Sequence, residues 1–115
     1  MSEGSIIGDW RLKTNLKITV VKLFTPEDVF GPNHGITRNG KPFIPCDHKE
    51  GEVFIVDNQY DRPEGFCERA WQDLYNTLMV YYHGGDYEFP SHGATYQPCG
   101  DGVNPVIFKI EKIQD

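Results

Sequence analysis

From Leu16 to Leu23 the chain reads Leu-Lys-Ile-Thr-Val-Val-Lys-Leu, with Leu16, Ile18 and Val20 alternating with Lys17 and Thr19 before the phase slips at Val20-Val21. A period of two puts apolar side chains on one face of a strand, so the segment predicts a half-buried strand with a bulge at the slip. Between Glu52 and Asp57 the residues Val53, Phe54, Ile55 and Val56 are all apolar. Continuous apolarity over so short a run predicts a buried central strand. From Pro63 to Tyr82 the period changes, with Phe66, Ala70, Trp71, Leu74, Leu78 and Tyr82 recurring every three or four residues. This predicts one amphipathic helix with limits near 64 and 83, Pro63 fitting its first turn and Gly84-Gly85 its end. The last segment alternates Val106, Phe108 and Ile110 with Lys109 and Glu111, a second half-solvated strand.

The connections are rich in turn residues. Thr25-Pro-Glu-Asp can open a short helical turn, and residues 25–45 read as a long loop or a small hairpin about Asn39-Gly40. Residues 84–104 hold five glycines with Pro90 and Pro98, and no regular element is expected there. Residues 1–14 mix Gly, Ser and charge and read as an N-terminal extension, with 15–115 as a single α+β domain. The expected architecture is a curved antiparallel or mixed sheet, or a partial barrel, packed on one main helix. Its core should gather Val53, Ile55, Trp71, Leu74, Leu78, Val106 and Phe108.

Composition narrows the partners. A chain of 115 residues supports one core, and 17 acidic against 11 basic residues without a Lys/Arg run offers little to a phosphate backbone or an anionic membrane. Nucleic acid and membrane are therefore not expected as partners, and composition does not set an oligomeric state. The first ten residues lack the basic start and apolar stretch of a secretory signal. Three cysteines cannot pair completely within one chain, and reduced thiols in a soluble cytoplasmic protein fit better.

Those cysteines are also the first candidates for chemistry. Cys46-Asp47-His48 places a thiol and an imidazole two residues apart, on one face if the backbone is extended. Cys67 falls at the helix start, where unpaired N–H groups favour a thiolate, and Cys99 falls in the loop Pro98-Cys-Gly-Asp-Gly. Against this stands simple packing, since free cysteine is often buried and paired C-x-x-C spacings are absent. Tyr82, His83, Tyr87, Phe89, His92 and Tyr96 cluster after the helix and are candidates for an aromatic ligand pocket, or for the edge of a small core. Asp57, Asp61, Glu64 and Asp86 form no acid/base motif and read as solvated; His34 reads as a turn residue.

The segments Cys46-x-His48-Lys49-x-Gly51-Glu52-x-Phe54, Pro63-Glu64-Gly65-Phe66-Cys67, Gly84-Gly85 and Cys99 followed by Asn104-Pro105-Val106-Ile107-Phe108 resemble a family of small, functionally uncharacterised microbial proteins. The resemblance spans roughly residues 16 to 113, and all three cysteines and His48 fall on its motif positions. It implies that the thiols and the imidazole form one set. Here only Asp47 separates Cys46 from His48, closer than the family pattern. The expectation is a small metalloprotein whose zinc or iron is held by Cys46, His48, Cys67 and Cys99, acting on a small molecule or serving structure alone. Its alternatives are a metal-free module for a small ligand or a protein, and a thiol enzyme using Cys67.

Overall fold

The computed structural model describes residues 15–44, 46–57 and 61–113; the expected 1–14 extension lies outside them. The elements run β1 (Asn15–Leu23), α1 (Pro26–Phe30), β2 (Val53–Val56), α2 (Glu68–Tyr82), β3 (Ala94–Pro98) and β4 (Val106–Ile113). The four strands form one open antiparallel sheet in the order β2-β1-β4-β3. The fold is α+β, with the sheet not closed into a barrel.

β1 and β4 are the central pair, and their inner faces carry Leu16, Ile18 and Val20 against Phe108 and Ile110. The expected bulge is present. Val20 pairs with Phe108 but Lys22 with Ile107, so Val21 is the extra residue and is left exposed. The inserted residue restores the phase that the sequence loses, bringing Leu23 opposite the buried Val106 and against the core.

β2 departs from expectation. It is an edge strand in which only Phe54 and Val56 face the core, while Val53 and Ile55 are each 47% exposed. The uniform apolarity of the four residues hides an alternation that only pairing with β1 resolves, through the register Ile18↔Phe54 and Leu16↔Val56. Val53 and Ile55 therefore leave the expected core, and Phe54, Val56 and Phe66 enter it.

α2 lays Ala70, Trp71, Leu74, Leu78 and Tyr81 onto the sheet. It begins at Glu68 rather than near 64, because Gly65 adopts φ +85° and Phe66 N–H closes a turn onto the Pro63 carbonyl before the helix starts. Its end follows the glycines. Gly85 N–H reaches back to the Val80 carbonyl at 2.7 Å, so close that a Cβ there would stand 2.9 Å from the same oxygen.

Residues 84–104 contain a strand that the turn-rich composition conceals. β3 pairs with β4 through Thr95↔Ile110 and Gln97↔Phe108, its proline falling at the strand's end, where no further ladder bond is needed. Gln97 also bonds α2, accepting from the Thr77 hydroxyl and donating to the Asp73 carbonyl. Asp86 is likewise more than solvated: its carboxylate accepts the N–H groups of Tyr87 and Gly93 and sits 3.2 Å from a His92 ring nitrogen. His34 clips α1 to its following loop, with Nε2 2.8 Å from Glu27 and Nδ1 accepting Ile36 N–H.

Candidate functional site

Three stretches of irregular backbone meet over the end of the sheet where β4 begins: the lead into β2, the start of α2, and the loop between β3 and β4. Each is fixed by its own hydrogen bonds. Cys99 and Val106 face each other across the β3–β4 loop, Cys99 N–H donating to the Val106 carbonyl at 3.0 Å and Cys99 Sγ receiving Val106 N–H at 3.4 Å. Asp101 closes the turn by accepting the N–H groups of Val103 and Asn104. The Asn104 side chain, 9% exposed, then donates to the Ile44 carbonyl at 3.2 Å, tying this loop to the chain ahead of β2.

His48 anchors the second stretch. Its ring is buried among Phe54, Phe66 and Phe108, with centroids 5.3, 5.3 and 6.0 Å away. Nε2 accepts Cys67 N–H at 3.1 Å, and Nδ1 lies 2.8 Å from Glu52 Oε1. A nitrogen that accepts a backbone N–H carries no proton, so the hydrogen-bond pattern assigns the neutral ring with its proton on Nδ1, directed at Glu52. That hydrogen bond holds the Glu52 carboxyl below its usual range. Cys67 is the N-cap of α2 and makes no side-chain cap bond; the imidazole instead fixes the backbone at the helix start through the Cys67 N–H.

Between these stretches lies a cavity of about 470 Å³. Cys46, His48, Cys67 and Cys99 all line it, together with the apolar side chains of Phe43, Ala70, Val106 and Phe108 and the cations Arg38, Lys41 and Arg69. Cys46 and Cys99 are half-buried and Cys67 is exposed; all three are free thiols. Burial pushes the Cys46 thiol up, and Cys67 and Cys99 lie near enough for their charges to act in the same direction. For Asp101, burial alone would raise the carboxyl, but the two backbone N–H groups and then Arg69 and Arg38 carry it below its usual value.

The sequence thus places four candidate residues that the fold brings to one cavity. It does not bring them into a closed coordination sphere: among the described residues, no three His, Cys, Asp or Glu side chains are arranged to hold a metal ion. His48 also lacks a spare lone pair, since one nitrogen accepts Cys67 N–H and the other carries the proton. None of the six aromatic and histidine residues expected to form a pocket lines this cavity. Tyr82 donates to the Asp57 carbonyl, Tyr87 packs on Tyr81, His83 contacts Tyr82, and Phe89, His92 and Tyr96 are exposed.

Sequence reading missed Arg38, Lys41, Arg69 and Asn104. One signal was available: Arg69 stands in the first turn of a helix, where the dipole disfavours a cation. No helix among the described residues is long and apolar enough to cross a membrane. Compared with protein-family models, curated proteins and solved structures, the chain matches none.

Proposed function

We propose that this chain binds a small organic molecule in the thiol-lined cavity. One observation carries the reading: three cysteines distant in sequence, together with a buried histidine that orders one of them, line a single space of about 470 Å³. That volume falls within the range of small-molecule sites, and its wall combines apolar surface with a few fixed polar groups, as such sites require. In this reading His48 is a positioning residue. It sets the backbone of Cys67, and the sulfurs meet the ligand.

The test is a titration of isotope-labelled protein with a set of small aromatic and aliphatic compounds, followed by NMR. Bound compounds should perturb Cys46, Cys67, Ala70 and Asn104 together, and Ala70→Leu, which fills the cavity from α2, should abolish the effect. Compounds that bind elsewhere, or undiminished binding to A70L, would overturn the proposal.

The convergence of three thiols also favours a second reading, a zinc or iron centre built on Cys46, Cys67 and Cys99. His48 would enter such a centre only by giving up the Cys67 N–H. Elemental analysis of protein purified without a histidine tag, paired with thiol titration, separates the readings. One metal per chain with protected thiols supports the centre; metal-free protein with titratable thiols leaves the organic ligand.

A further inference from the structure

The rim of the cavity breaks two local rules at once. Arg38 and Lys41 face each other directly across a two-residue turn at Asn39-Gly40, joined by backbone bonds of 2.8 and 3.1 Å, although like charges at opposed positions repel. Arg69 stands in the first turn of α2, the end of a helix that repels cations. Each placement costs stability where it stands, and both border the same cavity. Among the described lining residues they set three cations against one carboxylate, Asp101, in a chain whose net charge is −6. Asp101 offsets only part of this charge: Arg69 and Arg38 lie near enough to help hold its carboxyl low, but it is one carboxylate against three cations.

Local rules broken together, with one carboxylate among the described lining residues to offset three cations, mark a site that is completed from outside. Resting on the cavity reading, we infer that the ligand is a small anion with an apolar body, a monocarboxylate whose charge meets Arg38, Lys41 and Arg69 while its hydrocarbon part lies against Phe43, Ala70, Val106 and Phe108. A single negative charge fits better than a phosphate ester, because most of the enclosing surface is apolar and three cations already share one carboxylate.

The experiment compares isosteric pairs: benzoate, 2-naphthoate and octanoate, each against its primary amide, titrated into the full chain at low salt. At least one carboxylate should bind 10-fold or more tightly than its amide, and added salt should weaken only the carboxylate. The double variant R38Q/R69Q should remove that difference, while its far-ultraviolet circular dichroism and the amide-induced shifts at Ala70 and Asn104 report that the fold and cavity are intact. Arg69→Gln alone should melt no lower than the native protein without ligand, since it relieves the charge at the helix start. Amides that bind as well as carboxylates would overturn the anion preference and leave the cavity reading standing. If no pair member binds, both fall.

Discussion

At the scale of single residues, the two members of the Cys46-x-His48 pair have separate tasks. His48 spends both ring nitrogens on the backbone and on Glu52, so His48→Ala leaves the Cys67 N–H without its acceptor and opens a cavity among three phenylalanines. The expected loss is about 2–4 kcal/mol in urea unfolding. The cysteines should differ in reactivity. Cys67 is exposed, whereas burial both shields Cys46 and keeps its proton on, so iodoacetamide at neutral pH should label Cys67 well before Cys46. Peptide mapping by mass spectrometry reads the order directly, and equal labelling would show that the wall at Cys46 opens freely.

At the scale of elements, the helix and the two central strands were legible because each carries its own period. Leu16, Ile18 and Val20 declare a face without help, and so do Ala70, Trp71, Leu74 and Leu78. β2 declares none, since all four of its residues are apolar and its inward face depends on the partner's register. β3 was hidden for a different reason. Ala94-Thr-Tyr-Gln-Pro has no apolar alternation because its inward positions, Thr95 and Gln97, are polar and Gln97 is satisfied by α2. The register can be tested by paired substitutions in β2. Phe54→Ala should cost about 3–5 kcal/mol and Ile55→Thr less than about 1 kcal/mol, since only Phe54 reaches the core. Equal losses would mean a slipped strand.

For the whole molecule, the candidate site was legible as a residue set but not as a chemistry. Cysteine and histidine are scarce enough to be noticed in sequence. Arginines and lysines are not, and the cavity they border is assembled by contacts such as Asn104 to Ile44, sixty residues apart. The same assembly sets the pH range of the fold. The Cys46 thiol is held above its free value by burial, so the folded state keeps a proton that the unfolded state loses above about pH 8.5. Stability is therefore full below that pH and falls as pH rises toward the folded value. Tyr81, also raised by burial, continues the decline above about pH 10. Denaturation of the reduced protein across this range should show the decline beginning later in Cys46→Ser. At the acid end the signs reverse: Glu52 and Asp101 are held low, so what they contribute above about pH 4 is lost as pH drops through their folded values.

The strand order has a consequence for how the protein is made. β4 lies between β1 and β3, so among the described strands β1 has β2 alone beside it during synthesis until residues 106–113 follow. A two-stranded ribbon is marginal in water, and until then the inner faces of β1 and α2 lack Val106, Phe108 and Ile110, and the cavity wall around the three thiols is incomplete. The vulnerable interval in the life of this chain is thus its synthesis. A ribosome stalled before Val106 should present a chain open to protease and to thiol reagents, and release of one further strand should end both.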